Sequence, residues 1–294
     1  MENNFKDFSL IETLRKEGIE VTPEQEQLFL KQIEKDFNYI PMVGVFGKTG
    51  AGKSSLVNAI YGQDLCEVSD VEACTTEMKE ANAGGIILVD CPGIAESKEK
   101  DAIYMRKYHE YIPKLDVIFW VLKGDERAYQ PDIEFHNTIK DTVKCPVFFV
   151  VNQVDKIEPY REWNVEGHCP GSTQEERIKK RVEYVACSFG VAPADVIPVS
   201  ANERYNLMYL VNTMLARLDP VKALKQAPVI IDDYTNNEPT KAIVEKKKEE
   251  YVESRLEKIG IAVANWGQDK GFIIRAITGT IGGFLSSIGR RRNR

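Results

Sequence analysis

The chain has 294 residues, of which 43% are hydrophobic and 29% charged, as in a soluble globular protein with one large domain or two. Its net charge of −6 argues against a broadly basic surface for nucleic acid. Its six cysteines contain no CxxC pair, which argues against a zinc ribbon and favours reduced thiols in a cytoplasmic protein. The start, MENNFKDFSL, lacks the basic and apolar regions of a signal peptide.

Residues 1–39 are predicted to be helical. Thr22-Pro23-Glu24-Gln25 supplies an N-cap threonine, a proline at the first helical position and a glutamine that closes a capping box. Phe29, Ile33 and Phe37 then recur at every fourth position. This spacing places them in one apolar stripe on an amphipathic helix.

Residues 40–218 alternate between short apolar runs and longer polar segments, a pattern typical of parallel strands covered on both faces by crossover helices. The predicted strands are PMVGVF (41–46), IILVD (86–90), DVIFWVL (116–122), PVFFVVN (146–152) and DVIPVS (195–200). The predicted helices are 54–62, 101–112, 130–142, 173–189 and 206–218. The expected fold is therefore a doubly wound α/β domain with a mostly parallel sheet.

Beyond this domain, residues 219–240 contain Pro220, Pro228 and Pro239 and are interpreted as a linker. Residues 241–294 form the C-terminal region, which starts with a charged helix over 241–258. We expect the N- and C-terminal segments to pack together as a small helical appendage.

The end of the chain carries an apolar stripe at helical spacing. Residues 276–289 are uncharged but number only 14, fewer than the roughly 20 that a membrane-spanning helix needs. We expect the stripe to pack against the stripe of the N-terminal helix. The alternative is peripheral membrane contact, because three arginines follow at 290–292 and suit an anionic lipid surface. The stripe comprises Ile274, Ile277, Ile281, Leu285 and Ile288.

The segment GKTGAGKSS fits the pattern GxxxxGK[ST] directly after a predicted strand and directly before a predicted helix. Glycines let consecutive backbone N–H groups surround a phosphate, and the helix adds its positive N-terminal end. Lys53 would bridge the β- and γ-phosphates, and the Ser54 hydroxyl would bind Mg²⁺. The predicted phosphate cradle comprises Gly47, Lys48, Thr49, Gly50, Ala51, Gly52, Lys53, Ser54 and Ser55.

Three further motifs lie at or just beyond the ends of predicted strands, where open α/β sheets bind ligands. The first is DCPG, in which Asp90 is placed to hold Mg²⁺ and Gly93 to offer its N–H to the γ-phosphate. The others are NQVD at 152–155 and SAN at 200–202. Together with the cradle and the Thr75–Thr76 pair, this ordered set resembles the motif series of the Era/TrmE/EngA-like GTPases, and in detail that of bacterial YfjP-type GTPases. The resemblance covers residues 40–218.

The resemblance implies roles for individual residues. Asp155 would accept hydrogen bonds from the N1–H and the exocyclic amine of guanine, and Asn152 would brace the base-binding loop. The Ala201 N–H would meet guanine O6, with Ser200 and Asn202 beside it in the same loop. Thr76, with Thr75 as the alternative, would reach Mg²⁺ in the triphosphate state. Lys53, Thr76 and Gly93 would thus form the catalytic set, and Ser54, Thr76 and Asp90 the metal set.

Three positions depart from the family pattern. Gln153 replaces a lysine that packs on the base, so we expect weaker affinity with retained specificity. Ile94 stands where Ras-like proteins carry a glutamine that orients water, so hydrolysis should be slow. Gly50 replaces the asparagine of potassium-activated relatives, so we expect no potassium stimulation.

The resemblance implies that the chain binds GTP and GDP and hydrolyses GTP slowly with Mg²⁺, as a switch in the cytoplasm. Two alternatives stay open. One is a dynamin-like or immunity-GTPase-like machine that self-assembles on membranes, and the other is a nucleotide-dependent scaffold with negligible turnover. Homodimerisation through the G domain, which the resemblance places at residues 40–218, is a further expectation. The sequence leaves the class of effector open between ribosome, membrane and protein.

Overall fold

The structure is a computed structural model, and it describes residues 14, 18–62, 79–90, 108–126, 128–261, 263, 270–275 and 277–278. Its strands are β1 (Met42–Phe46), β2 (Lys79–Ala83), β3 (Ile86–Asp90), β4 (Val117–Lys123), β5 (Val147–Asn152) and β6 (Val196–Pro198). Its longer helices are α1 (Pro23–Asn38), α2 (Lys53–Tyr61), α3 (Gln130–Ile139), α4 (Ser172–Phe189), α5 (Leu207–Arg217), α6 (Pro220–Gln226), α7 (Asp232–Thr235) and α8 (Glu238–Lys258). Residues 108–111, 270–275 and 277–278 are also helical.

The six strands form one sheet in the order β2-β3-β1-β4-β5-β6. All neighbouring pairs are parallel except β2 and β3, which are antiparallel. Along β4, side chains alternate between two buried apolar clusters, with Phe119 and Val121 in one and Ile118 and Trp120 in the other. A strand buried on both faces is expected in a doubly wound sheet, so the predicted fold class is confirmed.

Strand β2 was not predicted. Its sequence, KEANA, contains no apolar run, and among the described strands it pairs with β3 alone, at the edge of the sheet. An edge strand needs little apolar surface, so the apolar pattern does not reveal it.

The segment 219–240 contains helices α6 and α7 rather than only irregular chain. Ala223, Ile230 and Tyr234 are buried in the same cluster as α2 and α5. The segment interpreted as a linker is therefore partly helical and packs on the core of the domain. Its role as a linker and the predicted domain boundaries stay predictions.

The terminal segments pack together as expected. Helix α1 begins after a capping box in which Thr22 and Gln25 bond each other's backbone. Phe29 and Ile33 share a third buried cluster with Ile274 and Ile277. The predicted intramolecular packing of the tail is thus confirmed for its described residues, whereas Ile281, Leu285 and Ile288 lie outside them. Within the part of the chain that the structure covers, no helix is long and apolar enough to cross a membrane.

Candidate functional site

The loop between β1 and α2 has the backbone of an anion-binding cradle. Gly47, Gly50 and Gly52 have φ values of 131°, 81° and 85°, in the region that only glycine adopts readily. A Cβ on Gly47 would lie 2.1 Å from the carbonyl oxygen of Val121, and one on Gly52 would lie 2.4 Å from Nδ2 of Asn152. At Gly50 nothing lies within 4 Å. Two of the glycines therefore allow close packing beneath the loop, and Gly50 is required by its conformation alone.

Lys53 is the first residue of α2, and its side chain folds back over the cradle. Its Nζ donates hydrogen bonds to the carbonyl oxygens of Gly47, at 3.0 Å, and Lys48, at 3.3 Å. The ammonium group is thereby held at the N-terminal end of α2, where the helix dipole also favours an anion. This arrangement fits the predicted role of Lys53 towards phosphates.

Asn152, at the C-terminal end of β5, joins two loops through three hydrogen bonds. Its Nδ2 donates to the carbonyl oxygens of Ala51, at 3.0 Å, and Gly52, at 3.3 Å. Its Oδ1 accepts the Ala201 N–H at 3.0 Å. The side chain is 1% exposed. We call these three bonds the Asn152 clamp, and they fix the phosphate cradle to the loop that carries SAN.

Gln153, the next residue, adds a further hydrogen bond to the cradle. Its backbone is left-handed, with φ of 60°, and its Nε2 donates to the Gly50 carbonyl oxygen at 2.9 Å. Lys156 donates to its Oε1 at 3.1 Å. The glutamine that departs from the family pattern is therefore tied to the cradle.

The side chain of Asp155 contains a buried acceptor atom. Its Oδ1 is buried and has no hydrogen-bond partner among the described residues. The loop around it is fixed by Gln174 of α4, whose Nε2 donates to the carbonyl oxygens of Asp155 and Ile157 at 3.1 and 2.8 Å. An unpaired buried acceptor costs free energy, so this position is suited to a ligand with N–H groups. Sequence reasoning missed Gln174, because a single glutamine in a polar helix gives no signal.

The SAN loop is ordered mainly by its own backbone. Ser200 and Tyr205 exchange backbone hydrogen bonds at 3.2 and 3.0 Å, and the Ser200 hydroxyl accepts the Glu203 N–H at 3.3 Å. Asn202 is exposed. Because the Ala201 N–H donates to Asn152, its expected contact with guanine O6 would require sharing or exchange of that donor, and it stays a prediction.

On the other side of the cradle, Lys48 is surrounded by acidic groups that the motifs did not indicate. Its Nζ lies 2.5 Å from Oε1 of Glu126 and 3.9 Å from Oδ2 of Asp132. Asp132 is 1% exposed, and its Oδ1 accepts the indole N–H of Trp120 at 3.1 Å. Burial raises the pKa of Asp132 to about 6, opposed by this hydrogen bond and by Lys48.

The loop that carries Glu126 is itself anchored. The Arg181 guanidinium of α4 donates to the Glu126 carbonyl oxygen at 2.5 Å, and the Tyr129 hydroxyl donates to the Lys123 carbonyl oxygen at 2.8 Å. A cavity of 260 Å³ opens beside this loop. It is lined by Lys48, Thr49, Ala51, Lys123, Asp125 and Glu126.

The predicted metal and switch residues are described only in part. Ser54 lies in the first turn of α2. Asp90 ends β3, where it is paired in register with Val45 of β1, next to the strand end that leads into the cradle. A hydroxyl and a carboxylate are oxygen ligands that Mg²⁺ prefers, so residues of these two types near the cradle fit the predicted metal site. Four further predicted or alternative residues lie outside the described ones: Thr75, Thr76, Gly93 and Ile94.

Residues 42–153 match the family model described as 50S ribosome-binding GTPase. Among similar proteins, YfjP of Escherichia coli K12 is 34% identical over 210 residues, which cover 68% of this chain and 71% of YfjP. YkfA of the same organism is 43% identical over 135 residues, covering 44% of this chain and 47% of YkfA. GTPase Era of Heliobacterium modesticaldum is 29% identical over 181 residues, covering 60% of this chain and 54% of that protein.

The matched region spans about half the length of YkfA and of this Era. Among solved structures, Era of Aquifex aeolicus bound to GDP and AlF4⁻ matches with a TM-score of 0.47 and 24% identity, covering 61% of this chain and 57% of that chain. The family assignment depends on the sequence relatives and on the motif geometry described above. The chain belongs to the Era-like P-loop GTPases, in the group that includes YfjP.

Proposed function

We propose that this protein binds GTP and GDP, hydrolyses GTP slowly with Mg²⁺, and acts as a molecular switch. The observation that carries the proposal is the buried Oδ1 of Asp155, which has no partner among the described residues and lies beside a loop that the Asn152 clamp fixes to the phosphate cradle. A base-binding loop and a phosphate-binding loop joined in this way suit a ligand that carries both a base and phosphates.

Guanine selectivity follows from the chemistry of Asp155. A carboxylate there accepts the guanine N1–H and its exocyclic amine. Adenine has no donor at N1 and no amine at C2, so it would leave the buried oxygen unpaired at a cost of about 1–3 kcal/mol. A site that is built to bond a donor rejects the analogue that lacks it.

The phosphates would lie on the backbone N–H groups of the cradle, with Lys53 as their direct counter-ion. Ser54 and Asp90 would hold Mg²⁺, which supplies positive charge to the phosphate oxygens when bound. Thr76 and Gly93 belong to the same proposal through the resemblance. Because Ile94 cannot orient water, turnover should be slow. Because Gly50 stands in place of the asparagine of potassium-activated relatives, turnover should not depend on potassium.

Exchange of the base-reading carboxylate tests the proposal. In Asp155→Asn, the amide matches only one of the two guanine donors and presents an amine to the other, so GTP affinity should fall at least about tenfold, as expected for a buried group left unpaired. Xanthosine triphosphate, which has a carbonyl where guanine has its amine, should bind this variant better than it binds the wild type. Isothermal titration calorimetry measures the affinity of the variant and of the wild type for both nucleotides.

The matched control is Asp141→Asn, because Asp141 is an exposed aspartate after α3. This control should retain wild-type GTP affinity. Equal GTP affinity of Asp155→Asn and the wild type would refute the assignment, as would tighter binding of ATP than GTP by the wild type.

Partners and location belong to the same proposal. We propose a cytoplasmic protein that can dimerise through its G domain and has a ribosome, a membrane or a protein as its effector. Multiple-turnover phosphate release separates a switch from a scaffold with negligible turnover. Co-sedimentation with anionic liposomes separates the switch from a membrane-assembled machine and tests peripheral contact by the tail.

A further inference from the structure

Asp132 is a buried carboxylate beside the phosphate cradle that no motif indicated. It lies in the first turn of α3 and is 1% exposed. Its Oδ1 accepts the Trp120 indole N–H. Its Oδ2 is buried and has no hydrogen-bond partner among the described residues. The negative charge on Oδ2 is therefore compensated by nearby cations and not by a hydrogen bond from a described residue.

The charged and titratable groups around Asp132 come from three neighbouring elements and from α3 itself. Lys48 of the cradle is the nearest cation, with its Nζ 3.9 Å from Oδ2. Lys53 of α2 also stabilises the charged carboxylate, whereas Glu126 of the β4–α3 loop opposes it. On α3 itself, His136 lies one turn further on and contacts the same Trp120 ring. The two cradle lysines thus balance a buried negative charge.

A nucleoside diphosphate or triphosphate in this cradle would compete for the same lysines. Its phosphates bring at least two further negative charges to groups that now compensate Asp132. In a buried site, like charges at short distance raise the pKa of a carboxyl group and favour its neutral form. Oδ2 is the atom open to a proton, because Oδ1 already accepts a hydrogen bond.

We propose that Asp132 takes up a proton from solvent when a guanine nucleotide binds, so that nucleotide binding and pH are linked through this residue. The inference depends on the nucleotide binding proposed above. The carboxylate becomes a carboxylic acid at Oδ2, the Trp120 hydrogen bond to Oδ1 is kept, and Lys48 then balances the phosphates and Glu126 without the additional charge of Asp132. Because the pKa of Asp132 is already about 6 in the nucleotide-free protein, a modest rise in this pKa protonates the residue at neutral pH.

The sign of the effect follows from linkage. Because the bound state holds more protons than the free state, affinity increases as pH falls from 8 towards 6. Asp132→Asn mimics the protonated form. It should bind GDP several-fold more tightly than the wild type at pH 8 and about equally at pH 6. A residue that only supports the loop would instead lower affinity at both pH values when it is replaced.

The experiment is isothermal titration calorimetry of GDP into the full chain at pH 6, 7 and 8, in two buffers that differ in ionisation enthalpy. Wild type should take up roughly half a proton or more at pH 7 beyond the uptake in Asp132→Asn. Protonation of GDP itself contributes equally to both and cancels. Glu134→Gln is the matched control, because Glu134 is an exposed carboxylate on α3 bonded only to Gln130 among the described residues, and it should behave as wild type.

Lys48→Met provides a second measurement that does not depend on folding of Asp132→Asn. Without its nearest cation, Asp132 is protonated in the free protein at higher pH, so the extra proton uptake should move to higher pH by about one unit. Equal proton uptake and equal pH dependence in wild type and Asp132→Asn would overturn the inference while leaving nucleotide binding intact, as would an unshifted uptake in Lys48→Met. A wild type that binds no guanine nucleotide would instead refute the proposed function, and this inference with it.

Discussion

The Asn152 clamp predicts that one side chain supports both the fold and the binding of nucleotide. In Asn152→Ala, the Ala51 carbonyl oxygen and the Ala201 N–H lose their side-chain partner. Both residues are buried, with exposures of 2% and 7%. The third bond, to Gly52, is longer at 3.3 Å and should add little.

The expected magnitude follows from these two groups. A buried polar group left unpaired costs about 1–3 kcal/mol, so we expect the free energy of unfolding to fall by about 3 kcal/mol. For a domain of this size class, 1 kcal/mol corresponds to about 2–4 °C in Tm, so the decrease should be roughly 6–12 °C. Nucleotide affinity should fall as well, because the cradle and the base loop are no longer held together.

Differential scanning calorimetry without nucleotide measures the first effect, and titration with GDP measures the second. The control is Asn137→Ala, since Asn137 is an exposed residue of α3 whose side chain accepts one hydrogen bond, from Lys140. It should change Tm by no more than about 2 °C, as for most surface substitutions. If Asn152→Ala is as stable as this control and binds GDP as tightly as wild type, the clamp has no energetic role.

Two further predictions concern the charged and aromatic interior. Arg255 Nε lies 2.5 Å from Asp36 Oδ2, with exposures of 8% and 12%, so Arg255→Leu should lower the free energy of unfolding by about 3–5 kcal/mol. Chemical denaturation measures this loss. The control Lys179→Met breaks an exposed pair with Glu175 and should leave the free energy of unfolding close to that of the wild type; equal losses in the two variants would contradict the burial argument. Burial lowers the pKa of His136, so its contribution to stability is present above the unfolded-state value of about 6.5 and is lost as pH falls through the lower folded-state value. The decrease in stability between pH 7.5 and 5 should therefore be smaller in His136→Gln than in wild type or in the exposed-site control His109→Gln, and an unchanged decrease would show that His136 is not responsible.

The five predicted strands follow from the sequence because each is an apolar run, and β4 illustrates why, since both of its faces are buried. Apolar runs do not reveal a strand that is not buried on both faces. Strand β2 is an example, because its small and polar residues suit the edge of a sheet. The pattern also fails at 219–240, where prolines suggest breaks. Pro220 instead stands in the first turn of α6 after the capping residue Asp219, a position where proline favours helix formation.

At the site, local motifs identify the groups that would meet the ligand, because backbone geometry and base recognition each depend on adjacent residues. The supporting groups are not local. Gln174 and Asp132 reach the site from α4 and α3, and only the packing of those helices brings them there. Their residue types are ordinary in polar helices, so nothing in the sequence distinguishes them.

The junction between α1 and the sheet has a mechanical consequence. Only Tyr39, Ile40 and Pro41 separate α1 from β1, and the Tyr39 hydroxyl and the Met42 N–H both donate to Asp116. The strand that starts at this anchored joint ends at the phosphate cradle. Helix α1 is therefore connected to the cradle through β1 alone, with no flexible linker between them. A partner that shifted α1 would accordingly also shift β1 and the cradle at its end.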